Sequence, residues 1–399
     1  MIRITLLLCA ALLAAVTFSC QQIPPGQPQV RSYGPIPFTS RTCNANDLGN
    51  NDPNDPGSFA ANVVIIAPNF DPSKFGAPPL STSPTALSAR IQGDLKAAFI
   101  AAPPAFRTAL CGLTVYIDPT NPFSWGYRDP STPSNRYIGL SQQSLWGAGG
   151  TTPPPVYSLF ETNLLAQVMA QLGMPWPPSP PPPAPQLPHA PAFSNASPID
   201  APAMTVLAVL AHEFGHVFWY DQVKQSDNQY DPTQFCHFFD NSWATVTRPD
   251  PWVPFAYPSN DLHGRGLVQI GQLQDALTSA PPNFTRAARL LNFLYGNERN
   301  STSGIWASLF GAISPEEDFV ETFKIYIMTR DDANGFQPLT SMPLNIYSQT
   351  TSQPTYKPDI YADLYSNGAN HAKGELTRKI TCIDTAFSSV FPSALRYRR

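Results

Sequence analysis

The sequence predicts an α+β fold, with a small mixed sheet and helices in its first half and mainly helices in its second. Three observations predict it. Short runs of aliphatic and β-branched residues stand at Asn62–Ala67, Leu113–Ile117 and Arg136–Leu140, with the length and composition of buried strands. Between them apolar residues recur at helical spacing, as at Leu87, Ile91, Leu95 and Phe99. After residue 200 the pattern is mostly helical, above all in Met204–Trp219.

The elements follow in order. Residues 1–19 read as a secretory signal peptide: Arg3 is their only charge, and Ile4–Val16 is apolar but too short to span a bilayer comfortably. Cys20 stands where the chain turns polar and resembles the lipidated cysteine of bacterial lipoproteins, although Thr17 occupies a position where such sites prefer Leu. The expected location is the bacterial cell envelope through lipid on Cys20, with free secretion as the alternative. Residues 20–58 read as a flexible tether and N-terminal extension, broken by Asn51–Gly57, and residues 59–399 as one domain. Thr85–Ala101 is an expected helix, and Leu159–Leu172 an amphipathic one stopped by Gly173 and Pro175. The Pro-rich loop 175–191 reads as a stiff polyproline II segment at the surface. Asp200 caps the next helix, with Pro202 in its first turn.

Composition bounds the function. A chain with 42% hydrophobic residues can build a sizeable core, while 46 prolines imply many turn-rich connections. A net charge of −4 offers no electrostatic basis for binding nucleic acid or an anionic membrane. No later run is apolar enough to cross a membrane, and a monomer is expected. Of 6 cysteines, Cys9 leaves with the signal peptide and Cys20 is the candidate anchor. Cys43, Cys111, Cys236 and Cys382 remain. Their wide spacing argues against a cysteine zinc site and for two disulfides. Cys43–Cys111 with Cys236–Cys382, pairing within each half, is favoured among three possible connectivities.

One motif carries chemistry: His212-Glu213-Phe214-Gly215-His216, inside the apolar run Met204–Trp219. Residues four apart share a helix face, so both imidazoles can reach one ion. Glu213 lies about 100° around the helix and can hold a water on that ion. Burying these polar groups among Leu, Val and Phe without partners costs roughly 2–7 kcal/mol each. A bound metal relieves that cost.

This HExxH helix, preceded by helix and strands and followed by a mainly helical half, resembles the zincin metallopeptidases over roughly residues 60–330. The resemblance implies one zinc ion per chain, held by His212, His216 and a third ligand from the lower half, with Glu213 as general base. Trp219 and Gln222 stand where the metzincin branch needs Gly and His, which excludes that branch. The gluzincin branch instead uses a Glu on a later helix. Ser314 can cap such a helix, with Pro315 in its first turn and Glu317 at the capping-box position. Glu321 then falls amid Phe319, Val320, Phe323 and Ile325, where a carboxylate needs a partner, and is the expected third ligand.

The string Asp318-Phe-Val-Glu321-Thr-Phe323 also resembles the third-ligand helix of the anthrax lethal factor and Pro-Pro endopeptidase group. The separation of Glu321 from His216 is long for that group. Its tyrosine seven residues before the ligand Glu is Ser314 here, leaving the oxyanion donor open among Tyr326, Tyr356, Tyr361 and Tyr365. Glu317 with Glu321 also reads ExxxE, near the ExxxD of thermolysin-like enzymes, whose first acid binds zinc. Glu317, His237 and His263 therefore remain alternative ligands. Asp318 reads either as an acceptor for a ligand imidazole or as an acid serving the helix dipole.

The expected function is zinc-dependent endopeptidase activity on a peptide or protein outside the cytoplasm, with an edge strand, Arg136–Leu140, pairing with extended substrate. A non-catalytic metal-binding envelope lipoprotein and a zinc amidase acting on peptidoglycan are the alternatives. Glu213 favours catalysis, because a structural metal needs no general base.

Overall fold

The computed structural model describes residues 52–72, 78–81, 87–111, 113–128, 136–157, 159–161, 163–164, 201–222, 224–226, 229–230, 262–281, 283, 285–287, 289–290, 307–312, 315–329, 346–347, 354–356 and 375–390. The expected signal peptide, the lipid anchor Cys20, the polyproline loop, Asp200 and Ser314 lie outside them. Among the described residues the fold is α+β, with a small mixed four-stranded sheet and mostly helices.

Helix α1 is Pro56–Asn62, where the sequence reading expected a loop and the start of a strand. The supposed breakers are its cap: Asp55 Oδ1 accepts the Gly57 N–H at 2.8 Å, and Pro56 opens the first turn. Strand β1 is confined to Val64–Ile65. Helix α2, Ala89–Ala101, begins after Ser88, whose hydroxyl accepts the Ile91 N–H at 3.2 Å. A further helix, α3, follows at Pro104–Cys111.

Strands β2 (Thr114–Asp118), β3 (Trp125–Arg128) and β4 (Arg136–Ser141) complete the sheet, and the short helix α4 (Gln142–Trp146) follows. The order is β1-β2-β4-β3, parallel except for β3, which runs antiparallel to β4. Arg136–Leu140 is therefore internal, and β3 and β1 are the edges. This corrects the expected edge strand. Strand β3 escaped detection because Gly126 sits inside it and Asn121-Pro122 precedes it, a turn-like composition. Tertiary contacts hold it: Asp118 Oδ2 accepts the Trp125 indole N–H at 3.0 Å, and Asp118 Oδ1 accepts the Asn121 N–H at 2.9 Å.

Helix α5, Pro202–Gln222, packs against α2, β3 and β4 of the first half. Its run from Met204 to Ala211 is buried on all sides, which explains why its sequence is apolar around the whole circumference. The second half adds α6 (Leu262–Thr278), a 3₁₀ turn at Phe310–Ala312, α7 (Pro315–Met328) and α8 (Glu375–Val390). Two small antiparallel pairs join β5 (Lys224–Ser226) to β6 (Gln229–Tyr230) and β7 (Ile346–Tyr347) to β8 (Pro354–Tyr356). Rings from α3, α5, α7 and α8 meet in one aromatic core. Phe214 lies 5.3 Å from Phe106 and 5.4 Å from Phe323, and Phe323 lies 5.4 Å from Phe387. Such pairs add about 0.5–1.5 kcal/mol beyond the area they bury.

Cys111 and Cys382 are both disulfide-bonded. Cys43 and Cys236, expected opposite them, lie outside the described residues. Among the described residues no helix is long and apolar enough to cross a membrane.

Edge strand β3 is pressed onto the HExxH segment. A Cβ added at Gly126 would fall inside the van der Waals shell of the Glu213 carbonyl oxygen, a backbone atom that cannot rotate away. Gly126→Ala is expected to destabilise the protein by about 1–3 kcal/mol, as overpacking does. A denaturant titration measures it, and an unchanged midpoint would mean that the strand yields at no cost.

Candidate metal centre

Helix α5 carries His212 and His216 one turn apart, with ring centroids 5.1 Å from each other and planes inclined by 75°. One potential ligand atom from each of His212, Glu213 and His216 lies within 4.8 Å of the others. His216 and Glu213 are buried, while the His212 side chain is 19% exposed. Helix α7 crosses α5 closely at Gly215, where an added Cβ would lie 3.1 Å from Val320 Cα. The absence of a side chain there lets the acids of α7 reach the His212 imidazole.

The two acids meet opposite sides of that ring. Glu321 Oε1 lies 2.7 Å from His212 Nδ1. Glu317 Oε2 lies 3.9 Å from His212 Nε2. Glu321 is engaged elsewhere too: its Oε2 accepts from Lys324 Nζ at 3.0 Å, and the Ser308 hydroxyl bonds to its carboxylate. Lys324 also donates to Glu161 Oε1 at 2.7 Å.

Charge follows this geometry. Burial works against the Glu321 anion, but Lys324 and the His212 hydrogen bond outweigh it and hold the carboxyl below the usual range. Burial likewise works against a charged His212, yet the Glu321 hydrogen bond and the nearby acids raise its pKa. Glu213 is different. Burial dominates and pushes its carboxyl up to about 7, against the opposing pull of His212 and His216. Its Oε2 is buried without a hydrogen-bond partner. A buried carboxylate oxygen left unbonded next to two imidazoles is a costly arrangement that a cation or a bound water would relieve. Two nitrogens with carboxylate oxygen form a donor set that zinc accepts. The cluster could therefore hold a metal ion.

Other expectations change. Asp318 serves neither an imidazole nor a helix end alone: both its oxygens accept from Lys379 Nζ of α8, at 2.8 and 2.6 Å, in a fully buried pair. Burial raises its pKa to about 7 despite Lys379. Tyr326 is buried and donates to Asp384 Oδ1 at 2.8 Å, so its hydroxyl is spent away from the histidines. Tyr361, Tyr365 and His237 lie outside the described residues, whereas Tyr356 stands in β8 and His263 at the start of α6.

Lys324, Glu161, Ser308 and Lys379 carry the supporting contacts and were not singled out from sequence. Lys324 had a faint signal, a cation three residues after Glu321 inside an apolar helix. Glu161 and Lys379 had none, because their partners are distant along the chain. Comparison with protein-family models, with curated proteins and with solved structures finds no match.

Proposed function

We propose that this chain is a zinc-dependent endopeptidase with the architecture of a zincin. The observation that carries the reading is Glu213: a buried carboxyl, one oxygen unbonded, raised toward neutrality, and set beside two histidines whose ligand atoms converge. A structural metal site has no use for such a base, whereas hydrolysis at neutral pH requires one.

His212 and His216 would hold the ion. For the third ligand we favour Glu317 over Glu321. Glu321 has one oxygen on His212 Nδ1 and the other on Lys324. That is the station of an acid that orients a ligand imidazole. Glu317 faces the opposite ring nitrogen, Nε2, which a hydrogen bond at Nδ1 leaves available.

A zinc ion held there would act as a Lewis acid, polarising a substrate carbonyl and lowering the pKa of water. Glu213 takes a proton from the attacking water and delivers it to the leaving amine. Glu321 fixes the His212 ring through Nδ1. Strand β3, the sheet edge that approaches Glu213, would add an extended peptide through backbone hydrogen bonds. Its antiparallel neighbour β4 is already paired on both sides and cannot do so.

The test is zinc content by elemental analysis together with hydrolysis of a mixed peptide library. About one zinc per chain and cleavage that a chelator abolishes are expected. Stoichiometric metal without cleavage of any peptide would favour a non-catalytic metal-binding protein, and cleavage confined to peptidoglycan stem peptides would favour the amidase.

A further inference from the structure

We propose that Lys324 and Glu161 are positioning residues for this metal centre, holding the Glu321 carboxylate so that one of its oxygens faces His212 Nδ1. The inference rests on the metal site proposed above and extends it outward by two side chains.

Four side chains make an unbroken line. Glu161 Oε1 accepts from Lys324 Nζ at 2.7 Å, Lys324 Nζ donates to Glu321 Oε2 at 3.0 Å, and Glu321 Oε1 meets His212 Nδ1 at 2.7 Å. Glu161, Lys324 and Glu321 are all buried, with relative exposures of 3, 5 and 1%. Water cannot stand in for a lost partner at that depth, so each bond constrains the next. A glutamate left to itself can turn either oxygen, or neither, toward an imidazole. Here Lys324 occupies Oε2, which leaves Oε1 for the ring.

Glu161 matters because an ammonium on a flexible four-carbon stem has three donors and little directional preference of its own. The second acid fixes where the ammonium sits. It comes from the helical residues before the polyproline loop, while Glu321 and His212 come from α7 and α5. The line thus ties three segments to the orientation of one ligand. With Nδ1 donating to Glu321, the Nε2 lone pair points outward for an ion, the tautomer that a metal-binding imidazole needs.

The experiment uses the full chain with zinc alone as the probe, and the variants Lys324→Met and Glu161→Gln. Zinc affinity is measured against a competing chelator. The imidazole tautomers of the metal-free protein are read by ¹⁵N NMR of histidine-labelled samples, and its melting temperature is recorded. Lys324→Met is expected to weaken zinc binding by up to about 10–100-fold, the effect of releasing Glu321, the outer partner of the ligand His212. At a pH where the imidazole is neutral, His212 should also shift from a single Nδ1–H tautomer to a mixture. Glu161→Gln keeps the Lys324–Glu321 pair, so it folds, and it is expected to weaken zinc binding at least threefold with the same change in direction. A purely structural role would lower the metal-free melting temperature and leave tautomer and affinity alone. Affinity within twofold of wild type and an unchanged tautomer in Glu161→Gln, and in Lys324→Met where it folds, overturn the proposal. Failure of wild type to bind zinc at all instead overturns the metal site on which it rests.

Discussion

Replacing Glu213 with Gln is expected to lower kcat for peptide hydrolysis by roughly 10²–10⁴-fold, the usual effect of losing a general base, while zinc remains bound. Glu213 shares α5 with His212 and His216, but its Oε2 has no hydrogen-bond partner to lose. The amide keeps the size of the carboxyl, and edge strand β3 is met by the Glu213 backbone, which the substitution leaves in place. Stability should not fall either. Burial holds the Glu213 carboxyl at about 7 in the metal-free protein, so above that pH the fold confines a charge away from water. Gln removes that charge, and the metal-free melting temperature at pH 8 is expected to equal or exceed that of wild type. The informative measurement is kcat with metal content checked on the same sample. Activity within a few-fold of wild type would exclude Glu213 as the base.

The second large effect concerns the two acids of α7. Glu317→Gln is expected to remove stoichiometric zinc after dialysis, because it deletes the carboxylate that faces His212 Nε2. Glu321→Gln should keep zinc but bind it about 10–100-fold more weakly, since the amide can still accept from His212 yet no longer pairs with Lys324 as an anion. Elemental analysis and chelator competition on both variants separate the cases. The reverse pattern, with zinc lost only in Glu321→Gln, would return the ligand role to Glu321, as its apolar surroundings in the sequence first suggested.

Much of the first half was legible because its signals are local. The helical spacing of Ile91, Leu95 and Phe99 shows the helix that ends at Ala101, and the strands at Leu113–Ile117 and Arg136–Leu140 show as aliphatic runs. What escaped was held by distant partners or spoke in two ways. Strand β3 contains a glycine and depends on Asp118 and on β4 for its place. Asp55 and Pro56 are turn residues and helix-cap residues alike, and only the structure says which they are here.

The candidate site divides along the same line. The sequence by itself determined that His212, Glu213 and His216 lie on one helix within reach of one ion, and that Glu317 and Glu321 lie one turn apart on another. Helical geometry is set by the backbone and repeats every few residues, so spacing alone carries that information. Only the tertiary structure decided which oxygen meets which nitrogen, which acid Lys324 and Lys379 each capture, and which strands are left at the edges. Those choices depend on how closely α7 crosses α5, which is set where Gly215 meets Val320. They depend equally on cations brought from other segments, Lys379 of α8 to Asp318 and Lys324 between Glu161 and Glu321. A buried charge must find its partner through space, and no spacing along the chain encodes that distance.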